Sequence, residues 1–269
     1  MKDADRHWSA ISKRLRIGCV LILDFDGVLS PIARIPSEAR ISHAAWRALA
    51  ACAEKMPVAI ISGRTLSDIE KRVGLRNVIY AGSHGLEWKV NGRIHRKRIS
   101  LKTLSAFETV RRSLLHIAKL FPGLFVEDKR NSIALGYRSL SKEQVAQFRD
   151  GANKITSKVA RAGKIRVIDN LYTFEVMPST EWTKGECAKH IFNTVAKKGS
   201  VAVYIGDTLT DEDAFHIFAK SGITIRVGKS FTSAAQFYFK SRSKVDTFLV
   251  RMTHSQKPPT KPPRKGRST

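Results

Sequence analysis

The sequence predicts an α/β protein whose doubly wound parallel sheet is interrupted by a smaller α+β domain. Apolar runs without polar alternation, such as residues 20–23, are typical of strands buried on both faces of a parallel sheet. Segments with helical spacing alternate with these runs, as βαβ units require. Between residues 100 and 178 the alternation is replaced by two long helical segments and short strands that suit antiparallel pairing.

The first part of the predicted sheet comes from residues 1–99. Ser42 and Thr65 stand where helix N-caps are expected, because their hydroxyls can accept a bond from the first turn. The predicted elements alternate in the order strand 18–23, helix 43–55, strand 56–61, helix 65–73 and strand 77–81.

The inserted domain is predicted over residues 100–178, just after a hairpin signal at Asn91-Gly92. Its elements are helix 101–120, strands 124–127 and 132–137, helix 142–160, and strands 164–169 and 172–177.

The α/β pattern then returns over residues 179–253, which completes a discontinuous core domain with residues 1–99. Residues 254–269 have no apolar face to bury, so we expect a disordered basic tail rich in proline. The elements expected before it are helix 183–196, strand 201–205, a helix ending near 219, strand 223–227, a short element at 237–239 and helix 245–252.

Composition limits the class of protein. Three scattered cysteines, Cys19, Cys52 and Cys187, favour reduced core thiols over disulfides or a zinc site. The first 16 residues lack the apolar core of a signal peptide, and no window reaches the ~18 apolar residues that a membrane helix needs. We therefore expect a cytoplasmic monomer with no membrane partner.

Three predicted strands end in polar residues that could form one site. They are followed by Asp24 and Asp26, by Ser62 and Arg64, and by Asp207 and Asp211. The carboxyl ends of neighbouring parallel strands meet at one crevice, so these residues are expected to converge. Aspartate oxygens are hard ligands suited to Mg²⁺, and Asp24, Asp26, Asp207 and Asp211 are the candidate metal ligands.

These residue types favour phosphoryl transfer. An ionised Asp24 can attack phosphorus to form an aspartyl-phosphate, and Asp26 can protonate the leaving alkoxide and later activate water. Ser62 can bond a phosphoryl oxygen, and Lys184, where the α/β pattern resumes, can offset its charge. The alternative for Asp24 and Asp26 is an ordinary polar turn, and for Lys184 a solvated surface lysine.

The same residues carry a family resemblance. Asp24-Phe25-Asp26-Gly27, Ser62-Gly63-Arg64, Lys184 and Gly206-Asp207 with Asp211 resemble the four motifs of the haloacid dehalogenase superfamily of phosphatases. The resemblance covers residues 18 to about 230 and implies a Mg²⁺-dependent phosphatase. It also implies that the insert is a type-2 cap, which closes over the site and selects the substrate.

A narrower resemblance is to the trehalose-6-phosphate phosphatases. It is carried by segments 82–87, 126–132, 137–138, 174–176 and 206–215. In that family a Glu-x-Lys pair and a later Glu hold the sugar hydroxyls, which here implies Glu127, Lys129 and Glu175. Arg64 and Arg138 are further candidate substrate-binding residues.

Three positions depart from the family pattern. Val28 replaces the usual threonine, Thr208 stands where a second aspartate is common, and Gly136 stands where histidine is usual. Backbone geometry should matter most at position 28. Thr208 implies weaker metal binding, with Asp211 able to compensate.

Two other functions stay open. The core motifs suit a phosphatase for another sugar phosphate equally well, for example sucrose phosphate or a monosaccharide phosphate. The net charge of +25 with a pI near 10.4 favours polyanion association, so a nucleic-acid-binding or surface-associated protein on the same scaffold is the alternative from another class. It is disfavoured because the sequence contains no recognised nucleic-acid-binding motif.

Overall fold

The computed structural model describes residues 1–255 except positions 34, 130 and 171. The chain forms two compact units, one from Met1–His95 and the residues from Lys184 onward, the other from Arg96–Thr183. The predicted tail lies outside the described residues from position 256. Its first two residues were predicted wrongly, because His254 and Ser255 end the last helix.

The elements are numbered along the chain. The strands are β1 (Lys2–Asp3), β2 (Cys19–Leu23), β3 (Val58–Ile61), β4 (Ile79–Gly82), β5 (Glu87–Val90), β6 (Arg93–Arg96), β7 (Phe125–Lys129), β8 (Ser132–Gly136), β9 (Ile165–Asn170), β10 (Thr173–Pro178), β11 (Val201–Gly206), β12 (Ile223–Val227) and β13 (Phe237–Phe239). The helices are α1 (Trp8–Leu15), α2 (His43–Lys55), α3 (Leu66–Val73), α4 (Leu101–Ala118), α5 (Lys142–Arg161), α6 (Lys184–Val195), α7 (Glu212–Phe218) and α8 (Ser243–Ser255).

The first unit is built on a nine-stranded sheet in the order β1-β13-β12-β11-β2-β3-β4-β5-β6. From β1 to β4 the neighbouring strands are parallel, and β4 and β5 are antiparallel. All five residues of β2 are buried, as expected for a central strand with helices on both faces. The predicted fold class is confirmed.

The register of the sheet brings three strand ends together. Leu23, the last residue of β2, lies opposite Ile205 of β11 and Ile60 of β3. Because these strands are parallel, Asp24, Ser62 and Asp207 follow them at the same edge of the sheet.

Local sequence signals set many element boundaries. Ser42 and Thr65 accept backbone N–H bonds at the starts of α2 and α3, which confirms both predicted caps. Asn91 (φ 50°) and Gly92 (φ 76°) form the turn between β5 and β6, as an Asn-Gly hairpin requires.

The second unit has an antiparallel four-stranded sheet in the order β7-β8-β10-β9. Helices α4 and α5 bury apolar residues against it, including Phe107, Leu114 and Phe148, which pack with Ile133 and Phe174 of the strands. This is the predicted content of two helices and four strands.

The N-terminal segment adds two elements for which the sequence made no prediction. β1 extends the sheet by pairing with β13, and α1 buries Ile11 and Leu15. The three cysteines are buried free thiols. Within the described part of the chain, no helix has both the length and the apolar character needed to span a membrane.

Candidate active site

The turn after β2 places Asp24 at the sheet edge. Asp24 is almost fully buried, and one of its carboxylate oxygens accepts a 2.6 Å bond from the N–H of Phe25. The turn is closed by three N–H groups, those of residues 28–30, that donate to the Phe25 carbonyl. Gly27 has φ 75°, and a Cβ there would lie 2.0 Å from Asp207 Oδ2. Glycine is therefore required because the turn must approach Asp207 closely.

Lys184 joins two of these aspartates. Its Nζ lies 2.6 Å from Asp24 Oδ2 and 2.7 Å from Asp211 Oδ1, and its side chain is only 1% exposed. Burial alone would lower the pKa of Lys184, but Asp211 and Asp24 raise it above its ordinary value, so the ammonium stays charged. The lysine sits at the first residue of α6 and is a buried charge, not a solvated one.

Asp211 is held by a dense set of donors. Besides Lys184, it accepts a bond from the Tyr204 hydroxyl at 2.7 Å and bonds from the N–H of Asp207 and from the N–H and hydroxyl of Thr208. Although burial would raise the pKa of Asp211, these partners, Lys184 first, lower it. Asp211 is therefore a fixed anion that orients Lys184 and the turn after β11.

Among Asp24, Asp207 and Asp211, Asp207 has the fewest partners to compensate its charge. Its Oδ1 is buried and has no hydrogen-bond partner. Burial and the neighbouring charges of Asp24 and Asp211 raise the pKa of Asp207 well above its ordinary value, and burial raises that of Asp24 to about 7.

Oxygens of Asp24, Asp207 and Asp211 lie within 4.8 Å of one another. A divalent cation fits this trio, because it would satisfy the orphan oxygen and supply the missing positive charge.

Ser62 lies at the end of β3, the neighbour of β2. Its side chain is buried, and its hydroxyl oxygen accepts the N–H of Arg64 at 3.2 Å. The loop after β4 packs against this turn, since His84 N–H donates to the Ser62 carbonyl. Ser83 and His84 both have positive φ, 51° and 56°, which is uncommon for residues other than glycine. A tightly specified backbone thus surrounds Ser62.

Asp26 is paired with Arg64 and does not belong to the cluster of Asp24, Asp207 and Asp211. Both of its carboxylate oxygens accept bonds from Arg64, each at 2.8 Å. The Asp26 side chain is 39% exposed and that of Arg64 only 7%. The paired group is thus a partly exposed acid held by a buried cation.

A second charged cluster lies in the second unit. Glu127 of β7 and Glu175 of β10 are both in register with Ala134 of β8, so their side chains share one sheet face. Lys129 Nζ lies between them, 3.4 Å from Glu127 and 3.7 Å from Glu175, and the Ser132 hydroxyl donates to Glu175 at 3.0 Å. These four polar side chains form a patch of hydrogen-bond donors and acceptors around the small side chain of Ala134.

A family model described as trehalose-phosphatase matches residues 22–244 of the chain. The chain belongs to the trehalose-phosphatase family. It is 31% identical over 240 residues to a trehalose-phosphate phosphatase of Mycobacterium tuberculosis, and 32% identical over 243 residues to one of Mycobacterium ulcerans. Each match covers 86% of this chain and 60% of the relative, so the chain spans about three fifths of the length of these curated relatives.

Solved structures show the same fold. The C-terminal domain of the C. albicans trehalose-6-phosphate phosphatase superposes with a TM-score of 0.83 at 22% identity, over 94% of this chain and 98% of that one. A trehalose-6-phosphate phosphatase of Aspergillus fumigatus gives a TM-score of 0.64 at 24% identity, over 95% and 100% of the two chains.

In this member of the trehalose-phosphatase family, the structure brings together only some of the predicted site residues. Asp24, Asp207, Asp211 and Lys184 form one cluster, and Glu127, Lys129 and Glu175 form another. Arg138 is exposed and stacks on Tyr172, with 4.5 Å from its guanidinium carbon to the ring centroid. The roles assigned to all these residues stay predictions.

Sequence reasoning missed several contributors. Tyr204 is hidden inside an apolar strand, and only its hydroxyl distinguishes it from a core residue. Thr208, noted only as a departure, donates to Asp211 with both its N–H and its hydroxyl. Ser132, the first residue of β8, lies in segment 126–132 that carries the narrower resemblance, but no role was predicted for it. Val28 is fully buried in the core, so its side chain packs and its backbone closes the turn.

Proposed function

We propose that the protein hydrolyses trehalose 6-phosphate to trehalose and phosphate in a Mg²⁺-dependent reaction. Membership of the trehalose-phosphatase family carries this proposal. The cluster of Asp24, Asp207 and Asp211 around Lys184 supports it, because buried carboxylates with one fixed cation suit phosphoryl transfer. The names of the curated relatives agree with it.

In the proposed reaction an Asp24 oxygen attacks phosphorus, and the bond between phosphorus and the sugar oxygen breaks. Asp26 gives its proton to the departing alkoxide, and later accepts one from the water that cleaves the aspartyl-phosphate. The Ser62 hydroxyl oxygen accepts the Arg64 N–H, so its proton is available for a phosphoryl oxygen. Lys184 offsets the charge near Asp24.

Asp24 and Asp207 would hold the metal, which when bound neutralises charge on the phosphoryl group. Asp211 has most of its acceptor sites occupied by protein donors, so its proposed contribution is to fix Lys184 and the Asp207 turn. Ligation by Asp211 and by Asp26 stays a prediction.

Sugar recognition is proposed for the cluster of Glu127, Lys129 and Glu175. A disaccharide offers only hydroxyl groups, and carboxylates with an ammonium can accept from and donate to several of them. Arg64 and Arg138 stay candidate substrate-binding residues. We further propose that the enzyme is a cytoplasmic monomer and that nucleic acid is not its partner.

The decisive assay measures phosphate release from trehalose 6-phosphate with Mg²⁺ and with a chelator. Sucrose 6-phosphate and glucose 6-phosphate serve as competing substrates in the same assay. We expect the highest kcat/KM for trehalose 6-phosphate and loss of turnover with chelator. Equal or higher kcat/KM for another ester would contradict the substrate assignment, and full activity in chelator would contradict the metal requirement.

Metal binding can be tested without activity. Mg²⁺ should raise the free energy of unfolding by about 2.7 kcal/mol at a hundredfold excess over its Kd. The variant Asp207→Asn should lose most of that gain, because it removes a proposed ligand. An equal gain in wild type and variant would exclude Asp207 as a ligand.

A further inference from the structure

Arg64 pairs with Asp26 through two hydrogen bonds, and binding a substrate would not require this arrangement. Arg64 donates from Nε to one oxygen of Asp26 and from a terminal nitrogen to the other, both at 2.8 Å. Such a bidentate pair fixes the plane of the carboxylate as well as its position. Each carboxylate oxygen has two lone pairs, so Asp26 can accept one bond from Arg64 on each oxygen and still exchange a proton with a leaving group or a water.

Arg64 itself is held independently of Asp26. Its second terminal nitrogen donates to Asp68 of α3 at 3.0 Å, and the Pro36 carbonyl accepts a further bond at 2.8 Å. Its guanidinium carbon lies 5.5 Å from the centre of the Phe25 ring. Asp68 is braced in turn by Arg72 at 2.8 Å. Arg64 therefore has three partners besides Asp26, which fix its guanidinium independently of that acid.

The two partners differ in exposure. The Arg64 side chain is 7% exposed and that of Asp26 is 39% exposed. An enclosed guanidinium therefore holds an acid that a substrate or a water can reach.

We propose that Arg64 is a positioning residue that holds the carboxyl group of Asp26 in the orientation in which it exchanges a proton with the leaving group and then with water. Asp68 serves as the anchor of Arg64. This inference rests on the proposed phosphatase function, because it assigns Arg64 to the acid–base group rather than to the substrate.

A double-mutant cycle on kcat/KM for trehalose 6-phosphate tests the inference. Arg64→Lys retains the charge but cannot form the bidentate pair, and we expect it to lower kcat/KM about tenfold or more, within the range of general acid–base effects. In an Asp26→Asn background the same change should cost less than about threefold, because Arg64 acts through Asp26. Equal losses in both backgrounds would overturn the proposal.

A series of substituted phenyl phosphates gives a second readout. A substrate-binding arginine would lower kcat/KM equally across the series. A positioning residue would cause a loss that grows with the pKa of the leaving phenol, since good leaving groups need no proton. Asp68→Asn should also lower kcat/KM more for phenols of higher pKa, but by a smaller factor than Arg64→Lys. A loss independent of the leaving group would also overturn the proposal.

Arg242→Lys is the matched control. Arg242 is likewise paired with one carboxylate, Asp246, and donates to the Val28 and Leu29 carbonyls of the same turn, but it does not contact Asp26. In Arg242→Lys, any loss of kcat/KM should not depend on the pKa of the leaving phenol. If the loss in Arg242→Lys grew with that pKa as it does in Arg64→Lys, the proposal would be overturned. A wild-type protein inactive on every ester would overturn both this inference and the proposed function, whereas an active wild type with equal losses overturns this inference alone.

Discussion

Two lysines in this chain lie between two carboxylates, in very different surroundings. Lys184 is 2.6 and 2.7 Å from Asp24 and Asp211, and none of the three side chains is more than 7% exposed. Lys129 is 3.4 and 3.7 Å from Glu127 and Glu175, and Glu127 is 34% exposed. The same combination of charges is thus closely spaced and buried in the first unit. In the second it is more widely spaced, and Glu127 is partly exposed while Lys129 and Glu175 are only 10% and 14% exposed.

This difference supports different proposed functions for the two clusters. Charges in a buried cluster interact strongly, so the positions of Asp24, Lys184 and Asp211 are fixed before a substrate arrives, as electrostatic catalysis requires. In the second unit the Lys129 ammonium lies 3.4 and 3.7 Å from the two carboxylates and Glu127 is 34% exposed, so Glu127 is the member of the cluster that solvent reaches most readily. The difference supports the proposal that the first cluster carries out bond-making and the second binds the sugar.

The largest effect should come from Asp24→Asn. Removing the proposed nucleophile should reduce kcat by more than about 10³-fold on trehalose 6-phosphate and on a small aryl phosphate alike. The fold should survive, because Lys184 keeps Asp211 at 2.7 Å. Phosphate release by purified wild type and variant, with circular dichroism on both, is the measurement. Comparable turnover would remove Asp24 from the mechanism.

Lys184→Met should have the largest effect on stability. The variant leaves Asp24 and Asp211 buried without their cation, and breaking a buried pair in this way costs about 3–5 kcal/mol. Urea unfolding gives the free energy. A loss below about 1 kcal/mol would mean that the cluster relaxes or admits water, and the contrast with Lys129 would then fail.

Much of this architecture could be predicted from sequence, for reasons visible at particular residues. The apolar run of β2 and the capping hydroxyls of Ser42 and Thr65 are local signals, and local structure follows them. β1 could not be predicted, because two polar residues form a strand only through pairing with β13, more than 200 positions away.

The candidate site divides in the same way. The motif aspartates stand at strand ends that periodicity predicts, so their convergence follows from the parallel sheet. The partners of Arg64 do not follow, because Asp26, Asp68 and the Pro36 carbonyl meet only in the folded turn. The same holds for the Tyr204 hydroxyl that reaches Asp211.

Glu127→Ala should separate recognition from chemistry. We expect kcat/KM on trehalose 6-phosphate to fall about 10- to 30-fold, the equivalent of one hydrogen bond to a charged group. On a small aryl phosphate, which lacks the sugar hydroxyls, the change should stay within about twofold. An equal loss on both substrates would reject the assignment of this cluster to the sugar. Asp128→Ala is the matched control, because Asp128 pairs with Arg111 of α4 on the opposite sheet face.

The smallest effect should be the stability change in Lys129→Met. This lysine also lies between two carboxylates, but its ion pairs are longer than those of Lys184 and Glu127 is 34% exposed, so the variant should lose less unfolding free energy than Lys184→Met, about 1 kcal/mol. Urea unfolding in parallel with Lys184→Met measures the contrast directly. Added salt should reduce the stability loss of Lys129→Met further, because Glu127 is partly exposed and screening acts on exposed charges, while the loss of Lys184→Met stays nearly unchanged. Equal losses of unfolding free energy in Lys129→Met and Lys184→Met would show that the two clusters do not differ in the strength of their ion pairs. The physical argument for giving them different roles would then fail.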